Sequence, residues 1–255
     1  MMAAVTLLTG HSLAEEAAAG KTGPPIRVAT YNVEFSANAT AEEIGEMLKP
    51  YQLDLVGFTE APAGDWAKRV GQILGMDHQF RGETSSANHK DKYKIILSRT
   101  PLEETKEVML PGTGWQPASA VRAVSTIHGT RFAIYCLHIC ASKEKGGQAF
   151  HLADEVLAKE AEPHVLVMGD FNNQMSDAAM LHLKKTGLKA TWDNLPVDLA
   201  KSFTWNAKDP KSREGVIDHI LYRESSRATV TAGGIIELEE PLSDHKPVWA
   251  ELRMP

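Results

Sequence analysis

Five short segments each place a carboxylate, an amide or an imidazole directly behind an apolar run. They are Thr30-Tyr31-Asn32-Val33-Glu34, Gly57-Phe58-Thr59-Glu60, Gly169-Asp170-Phe171-Asn172, Val216-Ile217-Asp218-His219 and Ser243-Asp244-His245. A short apolar run reads as a buried strand, so the polar residue that closes it falls at the rim of a sheet. Glu34, Glu60, Asp170, Asp218 and Asp244 are hard oxygen donors of the kind that hold a divalent cation together with waters. The amides Asn32 and Asn172 can orient a phosphate or a water, and His138 and His245 can carry a proton or steady developing charge. Gathered at one rim, this set meets the needs of phosphoester cleavage: neutralised phosphoryl oxygens, an aligned nucleophile and help for the leaving oxygen.

The elements that must position these residues follow from patterning. Residues 26–33 read as a first strand, and Thr40-Ala41-Glu42-Glu43 is a capping box opening a helix that Pro50 ends. Residues 53–58 form a buried strand running to Glu60, residues 65–74 a helix with Trp66, Val70, Ile73 and Leu74 on one side, and residues 85–92 a polar loop. A strand over 93–98 stops at Arg99-Thr100-Pro101. Residues 121–127 and 131–140, joined by His128-Gly129-Thr130, predict a hairpin. Then come a helix over 148–161, a strand over 164–168, and a helix from Ser176-Asp177 to about 186 that Gly187 ends. Strands over 216–222, 228–236 and 247–252 complete the chain. No repeat and no internal linker interrupts residues 26–253, so one domain with a mixed sheet core is predicted.

Composition bounds the function class. With 43% hydrophobic and 24% charged residues in 255, the chain can build a sizeable core. A net charge of -6 and a pI near 5.9 exclude the broad basic footprint of a tight nucleic-acid binder. They leave room for a nuclease that uses a local basic strip. Three such clusters occur, in residues 90–94, 143–145 and 208–213. The two cysteines, Cys136 and Cys140, lie four apart in one strand, roughly 13 Å, too far for a disulfide. Both are expected reduced. No Gly-x-Ser-x-Gly element supports acyl transfer through serine. Residues 1–25 read as an N-terminal tail or a degenerate export signal, which sets the expectation of a secreted or periplasmic protein, or otherwise a cytoplasmic one. No apolar run reaches the roughly eighteen residues of a spanning helix.

The ordered segments, with Ile95-Ile96-Leu97-Ser98-Arg99 and Val121-Arg122-Ala123-Val124, resemble the endonuclease/exonuclease/phosphatase superfamily. That group includes deoxyribonuclease I, exonuclease III, neutral sphingomyelinases, inositol polyphosphate 5-phosphatases and deadenylases. The resemblance covers about residues 26–253 and implies one such domain over 26–255. It implies an α/β, four-layer sandwich: two mixed, mostly antiparallel β-sheets packed face to face and flanked by helices. It implies Glu60 as principal ligand of Mg²⁺ (or Mn²⁺), with Asn32 and Asp244 beside it and Glu34 as a further metal contact. Asp170 and Asn172 would position and activate water, His245 would meet the scissile phosphate with Asp218 as its partner, and His138 and Arg122 would be phosphate contacts. The expected activity is metal-dependent hydrolysis of phosphoesters, foremost a phosphodiesterase or nuclease acting through in-line attack of water. The alternatives are a phospholipid or small-molecule phosphatase, and a non-catalytic binding module on the same fold. A phosphoester, nucleic acid among the candidates, is the expected partner of a monomer. Each residue also has a plainer reading. Asp218 can pair with Arg223 or Lys246, His138 can be a sheet histidine, Arg122 a surface cation, and Trp205 a core or groove aromatic.

Overall fold

The apolar runs that close on Asn32 and Glu60 form β1 (Ile26–Asn32) and β2 (Leu55–Ala61), which pair in parallel. In the computed structural model, which describes residues 23–141, 146–209, 211 and 215–255, these two strands sit inside a six-stranded sheet. Its order is β11-β12-β1-β2-β4-β3, completed by β3 (His78–Arg81), β4 (Tyr93–Ser98), β11 (Thr229–Ile235) and β12 (Val248–Arg253). A second six-stranded sheet runs β5-β6-β7-β8-β10-β9. It comprises β5 (Glu103–Met109), β6 (Ser119–Ile127), β7 (Thr130–His138), β8 (Val165–Asp170), β9 (Leu188–Ala190) and β10 (Asp218–Arg223). Here β7 and β8 form the parallel pair and their neighbours run antiparallel.

Four helices cover the outer faces. Thr40 caps α1 (Ala41–Leu48): its hydroxyl accepts from the Glu43 N–H while the Glu43 carboxylate accepts from the Thr40 N–H. With α2 (Trp66–Leu74), α1 buries Ile44, Leu48, Trp66 and Val70 against Ala29, Tyr31, Val56 and Phe58 of the first sheet. On the second sheet lie α3 (Gln148–His151), continued by looser turns to Lys159, and α4 (Ala178–Lys185). Between the sheets Val28, Leu55 and Ile96 of the first meet Ile134, Cys136, Leu166 and Met168 of the second. The result is the four-layer α/β sandwich that the resemblance implies.

Close approach of the sheets needs glycine at one point. A Cβ on Gly57 would fall 2.7 Å from the Met168 Cγ, so any side chain there would push the layers apart beneath the polar strand ends.

Three strands were not readable from patterning. The edge strand β5 is mostly exposed and carries Glu-Glu-Thr-Lys-Glu, the charged decoration that blunts a free sheet edge. The edge strands β3 and β9 have four and three residues. Cys136 and Cys140 are both free thiols. No described helix is long and apolar enough to cross a membrane. The tail over 1–22, the basic cluster over 143–145 and residues 210, 212 and 213 of the third cluster lie outside the described residues.

Candidate active site

In both sheets the parallel pair ends at the same edge, so Asn32, Glu60, His138 and Asp170 arrive there from four strand termini. The antiparallel neighbours complete the set with residues that open a strand or precede one. Asp218 begins β10 directly opposite Asp170, and His245 lies just before β12. Crevices at the carboxyl ends of parallel strands are where α/β sheets place ligands.

Local backbone fits this placement. Gly169 has φ +142, and a Cβ there would lie 2.0 Å from the Leu137 carbonyl oxygen of the adjoining strand. The motif Gly169-Asp170 therefore tolerates only glycine at its first position. Glu60 has φ +49 within a bulge between Phe58 and Ala61, and Asn172 has φ +50. Bulges re-aim side chains, and left-handed backbone at non-glycine residues persists where surrounding contacts enforce it.

Asp170 is the centre of the hydrogen-bond pattern. Its Oδ2 accepts from Asn32 Nδ2 at 2.9 Å and its Oδ1 from the Asn172 N–H at 2.9 Å. His138 Nε2 and His245 Nε2 approach Asp170 Oδ2 at 3.5 and 3.6 Å. His245 Nδ1 lies 2.8 Å from Asp218 Oδ2. Glu60 Oε1 stands 3.9 Å from His138 Nε2, and its Oε2 is 2.8 Å from Lys92 Nζ. Around this centre, Asn172 Nδ2 donates to the Ile139 carbonyl, and the Thr204 hydroxyl accepts from the N–H groups of Ile217 and Asp218. Ser243 Oγ donates to the Asn32 carbonyl and accepts from the His245 N–H, tying the last segment to the first.

Burial divides the charges. Desolvation raises the Asp170 carboxyl, while the His245 cation pulls the other way. His245 is also desolvated, which opposes its charge, but Asp218 and Asp170 outweigh this and hold it protonated well above the ordinary imidazole range. Burial, reinforced by the Lys94, His245 and Lys92 cations, keeps His138 neutral. Of the two imidazoles beside Asp170, one is thus a cation and the other neutral.

The structure brings Asn32, Glu60, His138, Asp170, Asn172, Asp218 and His245 together. Asp244 and Glu34 form an adjoining shoulder, where the Asp244 N–H donates to Glu34 Oε2 at 3.2 Å. Glu34 is also engaged by Asn38 Nδ2 at 2.7 Å and by the Lys208 ammonium. Arg122 is not part of the group, which corrects the expectation of a phosphate contact. It stands opposite Tyr135 on the helix-covered face, whereas His138 projects to the face toward the other sheet. There Arg122 makes a bidentate pair with Glu160 at 2.7 and 3.0 Å. Asp218 pairs with His245, while Arg223 donates to carbonyls of Leu157, Glu160 and Glu162 and Lys246 pairs with Glu237. Patterning had not singled out Lys92, Lys208, Thr204 or Ser243 for roles. The first two lay inside basic clusters, the only signal available.

A family model described as Endonuclease/Exonuclease/phosphatase family matches residues 29–245. The chain belongs to the endonuclease/exonuclease/phosphatase family. No curated protein sequence matches it. Among solved structures, an endonuclease/exonuclease/phosphatase from Beutenbergia cavernae superposes with a TM-score of 0.75 at 19% identity, covering 90% of this chain and 72% of that one. TDP2 of D. rerio, complexed with a single-strand DNA product, gives 0.71 at 16%, covering 89% and 98%. A mannosyl-6-phosphatase of Bacteroides thetaiotaomicron gives 0.68 at 22%, covering 89% and 99%. At such identities these likenesses are of fold.

The divalent cation generally used in the endonuclease/exonuclease/phosphatase family fits the donors present. Glu60 and Asp170 both reach within 4 Å of His138 Nε2, Asp218 Oδ1 is buried without a partner, and Glu60 already draws an ammonium. Hard oxygen donors with surplus negative charge suit Mg²⁺ or Mn²⁺. Asp170, Asp218 and His245 also place ligand atoms within 4.8 Å of one another. An imidazolium between two carboxylates accounts for that closeness.

Proposed function

We propose that this member of the family hydrolyses phosphoesters, phosphodiesters foremost, with a divalent cation and an in-line water nucleophile. The observation that carries the reading is the placement of Asp170 between a charged His245 and a neutral His138. Glu60 with Asn32 would hold the cation, and Asp244 and Glu34 would stand beside it. When bound, Mg²⁺ or Mn²⁺ supplies positive charge to the phosphoryl oxygens and lowers the barrier to attack.

The chain's own residues do the rest. The Asp170 carboxylate takes the proton of the attacking water, and its burial raises its basicity for that task. Asn32 and the Asn172 N–H fix the carboxylate plane, so the water is aligned as well as activated. His245, held by Asp218, offers Nε2–H to a phosphoryl oxygen, where charge accumulates as the nucleophile adds. Neutral His138 can donate a hydrogen bond without adding a second cation.

The test is release of p-nitrophenol from bis-(p-nitrophenyl) phosphate with Mg²⁺, with Mn²⁺ and with EDTA. Turnover with either metal that stops with EDTA supports the reading. Turnover insensitive to EDTA overturns the metal requirement, and none with any metal, on this diester or on p-nitrophenyl phosphate, overturns the hydrolase.

A further inference from the structure

A cleft of about 500 Å³ opens beside His245, lined by Phe203, Ala207, Ile236, Leu238 and Pro241 together with Lys208, Glu237, Glu239 and Lys246. We propose that it seats an uncharged, largely apolar organic group attached to the phosphorus, ring-sized or larger. This rests on the phosphoester reading, because His245 is both a wall of the cleft and the group that meets the phosphate there.

Three features favour that occupant. The floor is apolar: Ile236 is 3% exposed and Ala207 6%, with Leu238, Pro241 and Phe203 around them. The charges cancel. Two lysines face two glutamates, the Lys246 ammonium is held by Glu237 at 2.7 Å and lies 3.5 Å above the Phe203 ring, and the Lys208 ammonium is held by Glu34. A second phosphate or a nucleic-acid backbone would require a surplus of unpaired cations, so the polyanionic occupant is disfavoured. The walls are also fixed before any ligand arrives. Backbone hydrogen bonds link Ala207 N to Asp244 O at 2.7 Å, Lys246 N to Thr204 O at 2.7 Å and Ile236 N to Pro247 O at 2.8 Å. Both sides are thereby tied to the segment 244–247 that carries His245. A preformed, mostly apolar cleft with polar groups at its margin is the usual form of a small-molecule subsite.

The experiment is calorimetric titration of the full chain, with Mg²⁺ present, using methylphosphonate, phenylphosphonate and 2,3-dihydroxypropylphosphonate. Each carries one organic arm on a common anionic head. Burying a phenyl ring where a methyl group leaves the floor wet should tighten binding about tenfold. Leu238→Gln, at a position outside the hydrogen-bonded group around Asp170, should abolish that preference and leave methylphosphonate binding unchanged. Equal affinities for the phenyl and methyl compounds overturn the proposal. So does a dihydroxypropyl compound that binds as tightly as the phenyl one, or a preference that survives Leu238→Gln in a variant melting as wild type does. A cleft that selects phenyl while the hydrolysis assay fails would retire the hydrolase reading and leave the subsite standing.

Discussion

The Lys92 ammonium stands 2.8 Å from the Glu60 carboxylate, the group proposed above as principal holder of the divalent cation. Lys92 comes from the loop before β4 and also lies 5.7 Å from the centre of the Phe35 ring at the mouth of the site. A tethered cation and a dissolved one compete for the same oxygens. Lys92→Met should therefore tighten Mn²⁺ binding to the free protein, about tenfold for a pair this shielded from solvent. Calorimetric titration reads this directly; an unchanged or weaker affinity would show that Lys92 does not compete.

Asp170 is 1% exposed and its carboxyl is raised by burial, so its charge is a cost to the fold. Asp170→Asn should lower kcat by about three orders of magnitude, in the range for loss of a positioned base. Its melting temperature at pH 8 should equal or exceed that of the wild type. A variant retaining more than a tenth of the activity would remove Asp170 from proton transfer.

In the proposed mechanism His245 donates to the phosphate as a cation, so activity should fall as pH rises through its raised value. Asp218 is first among the groups that raise it, against the opposing effect of burial. Asp218→Asn should shift the alkaline limb of the kcat/KM profile to lower pH, as well as reducing the rate. The sign for stability is the same. The contribution of a histidine raised on folding is complete below its unfolded value of about 6.5 and is lost as pH climbs through the folded one. An alkaline limb that does not move would mean that another group sets it.

Arg122 and Glu160 side chains are 6% and 4% exposed, and Tyr135 also donates to Glu160. Removing one partner strands a buried charge. Arg122→Met should cost about 3 kcal/mol of stability by urea unfolding. Metal affinity and KM should stay at wild-type values. A raised KM with an intact fold would return Arg122 to the substrate.

The misplacement of Arg122 shows where sequence patterning fails. Along β6 every residue but Thr126 is buried, because the other sheet covers one face and helices cover the other. Without alternation between apolar and polar positions, nothing in Val121-Arg122-Ala123-Val124 says which way the guanidinium points. Only the register that sets Arg122 opposite Tyr135 decides it. Glu60 is similar: a left-handed residue in a bulge, rather than simple strand alternation, turns its carboxylate toward His138.

The sequence by itself determined the kinds of residue at the rim and their order. An apolar run too short for a helix must become a buried strand, and a carboxylate that closes it must reach solvent or a partner. That argument placed Asn32, Glu60 and Asp170 at strand ends without reference to any contact, whereas Asp218 opens the strand after it and His245 precedes one. Tertiary structure alone decided which charges meet. Lys92 on Glu60 and Lys208 on Glu34 join segments 32 and 174 residues apart, whereas Asp218 on His245, 27 apart, is the pairing the resemblance implied. Local propensity is silent about such distances. The packing of two sheets across Gly57, Cys136 and Met168 brings those segments to one edge and leaves an apolar cleft beside it.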